Sequence, residues 1–131
     1  MRSDYRAGDL LEPLKLVVDG PSMKVFSVLM RDPNPIHFDP AFVESLGLGD
    51  RTVNQGTISM AYPINALLRL VDDPGQLVRF RCRFQGNLVT GDIVTVTGAV
   101  TSVDDELVGF DLWVDREDGM RALTCSAELR R

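Results

Sequence analysis

The chain has little of several things. Its two cysteines, Cys82 and Cys125, stand far apart in 131 residues and match no zinc-ligand or redox-motif spacing. Nothing in that pattern calls for an oxidising compartment. Positive charge is scarce as well. Fourteen basic against 19 acidic residues leave a net charge of −5, the reverse of what a protein tracking nucleic-acid phosphates carries. A small anion held by a local group of arginines is still compatible with that balance. Long apolar runs are missing too. The richest stretch, Ile58 to Leu68, contains Pro63 and Asn65 and stops at Arg69, too short to cross a bilayer. Met1-Arg2-Ser3-Asp4-Tyr5-Arg6 lacks the apolar core of a secretory leader. Together these absences predict a soluble, cytoplasmic protein with neither nucleic acid nor membrane as partner.

What is there suffices for one core. With 44% hydrophobic residues, residues 1–131 read as a single domain without repeat, linker or low-complexity tract. Leu14-Lys15-Leu16-Val17-Val18 is a short candidate strand closed by Asp19-Gly20-Pro21. Met23, Phe26, Val28, Leu29 and Met30 then follow a helical pattern, with Ser22 as the expected N-cap. Pro33 and Pro35 interrupt it and push Asp32 and Asn34 into extended conformations. Helix resumes with Asp39 as cap, Pro40 in the first turn and Gly47 as stop. The longest helical pattern, Thr57 to Val71, is apolar on nearly all sides and predicts a buried central helix kinked at Pro63.

After Asp72-Asp73-Pro74-Gly75 the period changes to two. Val78, Phe80, Cys82 and Phe84 alternate with Arg79, Arg81 and Arg83. Strand patterns follow over Ile93 to Val103, Leu107 to Val114 and Met120 to Leu129, joined by hairpin turns at Asp104-Asp105-Glu106 and Arg116-Glu117-Asp118-Gly119. One long helix followed by an antiparallel meander is an α+β layout.

Histidine is the scarcest chemistry-bearing residue: there is one. It lies in Asp32-Pro33-Asn34-Pro35-Ile36-His37-Phe38-Asp39-Pro40, with two prolines stiffening the link to Asp32. A carboxylate and an imidazole held at fixed separation can move a proton on and off water. Outside such a frame, a histidine beside prolines is ordinarily a surface-loop residue. Asp39 is better explained as a helix cap than as a catalyst. Phe80, Phe84, Phe110 and Trp113 suit core or interface, and Ser59 and Tyr62 suit helix packing.

The segment Asp32 to Pro40 resembles the hydratase signature of the MaoC-like family, a branch of the hotdog fold. Gly8-Asp9-Leu10 is similar to the family's opening segment, and Leu88-Val89-Thr90-Gly91-Asp92 to the loop before its long strands. The resemblance covers nearly the whole chain. It implies a single hotdog, an antiparallel sheet wrapped around a long central helix. It also implies a lyase that adds water to trans-2-enoyl thioesters, or removes it from (R)-3-hydroxyacyl thioesters. By position, Asp32 and His37 would hold the water, and the Gly56 N–H would face the thioester carbonyl. Asn34, Gln55 and Thr57 join them as oxyanion or substrate-binding candidates, Asn34 as a brace for the turn or for His37.

Arg79, Arg81 and Arg83 are candidate contacts for coenzyme A phosphates, a solvated strand face being the plainer account. No metal or redox cofactor is implied, and the acyl group would arrive on coenzyme A or an acyl carrier protein. Two positions depart from the family pattern. Met30-Arg31 replace a small residue and glycine before Asp32, and Gln55 replaces the histidine that usually precedes Gly56. A homodimer or heterodimer of hotdog subunits is expected, since one short hotdog leaves a sheet edge exposed. In one alternative the chain is a subunit active only beside a different hotdog partner. A thioesterase ranks lower, because no Asp or Glu lies between Arg51 and Val71.

Overall fold

Carboxylates at helix starts organise the front half of the chain. A computed structural model, which describes residues 1–2 and 4–131, opens with strand β1 (Leu14–Val17) and helix α1 (Gly20–Leu29). The helix begins ahead of the expected Ser22, because Asp19 is the cap and accepts the Ser22 N–H at 3.0 Å. Pro21 fits the first turn, where its missing N–H is no loss. The prolines break the helix as expected, and Pro35–His37 forms one 3-10 turn. Asp39 caps helix α2 (Pro40–Ser45) by accepting from the Phe42 N–H at 3.2 Å. Gly47, at φ +71°, ends that segment.

The back half is the sheet. Strands β2 (Leu77–Phe84), β3 (Ile93–Val103), β4 (Leu107–Arg116) and β5 (Arg121–Arg130) join β1 in the order β1-β3-β4-β5-β2. Every neighbouring pair is antiparallel. Both hairpins form where the turn residues put them, the second with Gly119 at φ +91°. Alternation along the strands gives one fully buried face, with Val94, Val96, Phe110, Leu112, Val114, Leu123 and Leu129 in the core. The chain's opening segment lies along β3, where Gly8 N–H donates to Val100 O at 2.8 Å and Leu11 N–H to Gly98 O at 2.9 Å.

Helix α3 (Gly56–Leu68) packs against β2, β3, β4 and β5. It ends short of the expected Val71, and it is not buried on nearly all sides. Ser59, Pro63 and Leu67, spaced one turn apart, form the buried ridge against the sheet. Thr57 and Asn65 are exposed, and Met60, Ala61, Ile64 and Leu68 are half-buried. Among the described residues no second layer buries that far side fully, so apolar composition alone overstated the burial. Pro63 lies inside the helix without ending it.

Two edges remain. β1 is short, while β2 pairs with β5 alone and leaves Val78 and Phe84 exposed. No helix among the described residues is long and apolar enough to cross a membrane.

Candidate active site

The loop between α1 and α2 folds back on itself through its own backbone. The Asp32 N–H donates to Ser27 O at 2.9 Å, and Asp32 Oδ1 accepts the Asn34 N–H at 3.1 Å. Asn34 Oδ1 in turn accepts the Ile36 N–H at 3.3 Å. These short-range bonds are what Asp and Asn side chains form readily in turns. They bring His37 back toward Asp32: His37 Nε2 lies 3.3 Å from Asp32 Oδ2. The His37 side chain is 10% exposed, whereas the Asp32 side chain keeps 34% of its surface. The ring is buried and the carboxylate reaches solvent.

The other ring nitrogen decides the chemistry. His37 Nδ1 lies 2.7 Å from Val53 O, and a carbonyl only accepts, so Nδ1 carries the hydrogen. In the neutral ring Nε2 is then an acceptor. It faces a carboxylate oxygen that is also an acceptor. Two acceptors at that separation need hydrogen between them, either a shared proton or the hydrogens of a bound water. A carboxylate and an imidazole so placed have the chemistry to pass a proton between them.

The segment that holds the imidazole also leads into α3. Val53 N–H donates to Ile36 O at 2.8 Å and Asn54 N–H to Leu88 O at 2.8 Å, pinning the loop from both sides. Gly56 is the first residue of α3, and Gln55 provides no side-chain cap. The first amides of a helix have no partner within it and carry the positive end of its dipole. Gly56 is exposed, and a β-carbon there would come within 3.3 Å of the Phe84 ring.

Two cavities adjoin these groups. One, of about 460 Å³, is lined by Lys24, Ser27, Val28, Asp32, Pro33 and Phe38. The other, of about 410 Å³, is lined by Asn54, Gly56, Ser59 and the Phe84–Leu88 segment. Asp32 opens on the first and Gly56 on the second.

Of the expected site residues, Asp32 and His37 are brought together and Asn34 braces their turn. Thr57 is exposed in the first turn of α3. Gln55 is buried at 3% exposure, with Nε2 donating to Met23 O at 3.0 Å and to Ser27 Oγ at 2.9 Å. It faces α1 and lines neither cavity. The three candidate arginines line neither cavity. Arg79 pairs with Glu128 across to β5 at 3.4 Å. Arg81 and Arg83 border a separate depression of about 250 Å³ with Asp111, Thr124 and Ser126.

Sequence reasoning missed Val53, which acts through its carbonyl and so leaves no side-chain signal. It also missed Ser27, whose signal was a polar residue one turn from Met23 on the buried face of α1. Asn54 was missed as well. Its Nδ2 donates to Ser59 Oγ at 2.9 Å and to Tyr62 OH at 3.1 Å. Burial pushes the Tyr62 phenol up, while the Asn54 donor pulls it the other way.

Residues 10–108 match the family model described as a MaoC like domain. The chain belongs to the MaoC-like family. No curated protein matches it. Among solved structures it is similar to the (R)-hydratase from A. caviae involved in PHA biosynthesis, at 22% identity and TM-score 0.81, covering 97% of each chain. It is similar to a chain of the ChsH1-ChsH2 complex from Mycobacterium tuberculosis, at 20% identity and TM-score 0.82, covering 95% of this chain and 97% of that one. A third likeness is to the HadBC (3R-hydroxyacyl-ACP dehydratase) complex of the same organism, at 21% identity and TM-score 0.79, with both chains fully covered at 100%. The fold is therefore the hotdog fold of this family, an α+β sheet packed on one helix.

Proposed function

We propose that this chain is a hydratase or dehydratase interconverting trans-2-enoyl and (R)-3-hydroxyacyl thioesters. The single observation that carries the reading is His37 Nε2 at 3.3 Å from Asp32 Oδ2 with Nδ1 fixed on Val53 O. In the hydration direction, a water between Nε2 and Oδ2 loses one proton to the pair as its oxygen bonds to C3. Electrons move through the conjugated system onto the thioester oxygen, and C2 then takes a proton back from the pair. Atoms and charge balance without any metal or redox group. The developing enolate oxygen would be met by the amides opening α3, Gly56 first, because a missing side chain allows close approach. The 460 Å³ cavity with Val28, Pro33 and Phe38 on its walls suits an apolar acyl group beside Asp32.

A second reading differs in assembly: the chain works only beside another hotdog subunit. The unpaired β2 edge and the half-buried far side of α3 favour association. Two of the similar structures are themselves complexes of named pairs. The experiment for both readings is purification, alone and with a co-expressed hotdog neighbour. Each preparation is then incubated with trans-2-enoyl-CoA of increasing chain length while the conjugated thioester absorbance is followed. Loss of that absorbance by the chain alone supports the first reading, and activity only with the neighbour supports the second. Release of free thiol instead would point to a thioesterase.

A further inference from the structure

Gln55 is an expensive residue in its position. Its side chain is buried at 3% exposure, and Oε1 has no hydrogen-bond partner among the described residues. Turning the amide over would not relieve it. Nε2 lies 3.0 Å from Met23 O, and a carbonyl can face only a donor. A buried acceptor left unpaired is unfavourable, so an apolar side chain of the same shape would serve the core better. The amide must therefore be judged by what its nitrogen holds.

What it holds is the scaffold of Asp32. Nε2 donates to Ser27 Oγ at 2.9 Å, and the carbonyl of the same Ser27 receives the Asp32 N–H at 2.9 Å. On the other side of Gln55 in the chain, Val53 O fixes His37 Nδ1 at 2.7 Å. The residue after Gln55 is Gly56, which starts α3. Carboxylate, imidazole and helix amide are thus all referenced to one short segment, and among the described residues Gln55 makes its only side-chain hydrogen bonds to α1.

We propose that Gln55 is a positioning residue, whose buried amide clamps the start of α3 to α1 and thereby sets Asp32 against His37 without touching substrate. The proposal rests on the reading of Asp32 and His37 as the proton-transfer pair. It replaces direct substrate binding as the role of Gln55, in keeping with a side chain that lines neither cavity.

The test compares Gln55→Met, close in shape but without hydrogen bonds, with Ser27→Ala and with Asp32→Asn. Gln55→Met should melt at or above the wild-type temperature while kcat falls on the order of tenfold to a hundredfold with KM little changed. Ser27→Ala should lose less and add nothing in the Gln55→Met background. His37 is the only histidine, so its ring-nitrogen NMR resonances are unambiguous. They should move in Gln55→Met toward their positions in Asp32→Asn. Unchanged kcat and unchanged ring resonances in a folded Gln55→Met protein overturn the proposal. So does a raised KM at constant kcat, or multiplicative losses with Ser27→Ala. If Gln55→Met fails to fold, Ser27→Ala is read by the same rate and resonance criteria. Should the wild-type chain hydrate no thioester either alone or with the co-expressed neighbour, the functional reading fails, while the resonance shift still decides the clamp.

Discussion

The ring of Phe84, at the end of edge strand β2, stands 3.3 Å from where a β-carbon on Gly56 would sit. An outer strand thus touches the first turn of the central helix, at the amide assigned to the enolate oxygen. Gly56 has no positive φ, so its backbone would accept alanine. Phe84 is 52% exposed and can yield. Gly56→Ala is therefore expected to leave the melting temperature near wild type and to cut hydration by at least about tenfold, by crowding the carbonyl. Thermal melts and enoyl-CoA kinetics on the same preparation check it. Equal activity would remove Gly56 from the site.

Asp32→Asn and His37→Ala should each lower kcat/KM by about 10²–10⁴. On the proposed mechanism the two groups act on one water, so the double variant should be little worse than either single one. Losses that multiply would mean independent roles.

The core makes a separate prediction. Phe110 is 1% exposed and meets Tyr5 edge-on with ring centroids 5.9 Å apart. Phe110→Ala should cost about 3–5 kcal/mol in urea unfolding, from lost burial and the cavity left behind. A cost under about 1 kcal/mol would contradict the packing described.

Cys82 and Cys125 sit opposite one another on β2 and β5, with sulfurs 3.4 Å apart. Burial pushes both thiols up from their ordinary range, so both stay protonated at neutral pH. Thiolate is the reactive form. The native protein should therefore resist iodoacetamide for hours and take up two labels once unfolded, read by intact mass. Rapid native labelling of Cys125 would place it outside the core.

Much of this arrangement was legible in the sequence. The period-two runs marked four strands to within a residue or two, since β alternation is local. The proline frame marked the Asp32–His37 turn because Pro restricts its neighbours regardless of tertiary context. Other features depended on contacts made only after folding. Val53 acts through a carbonyl that any residue has. The role of Gln55 needs α1 and α3 side by side. Helix α3 seemed buried all round because composition does not say which layers one chain supplies. The alternation of Arg79, Arg81 and Arg83 was visible, but the Arg79–Glu128 pair required the β2–β5 register.

That alternation has a bearing on how β2 meets other chains. A second copy laid antiparallel against the same rim would bring guanidinium groups into apposition at about 5 Å spacing, with mutual repulsion. Indiscriminate strand accretion, the usual hazard of an open rim, is thereby discouraged. A newcomer bearing acidic side chains at matching intervals would escape the penalty, which would make the rim selective by sign of charge as well as by shape.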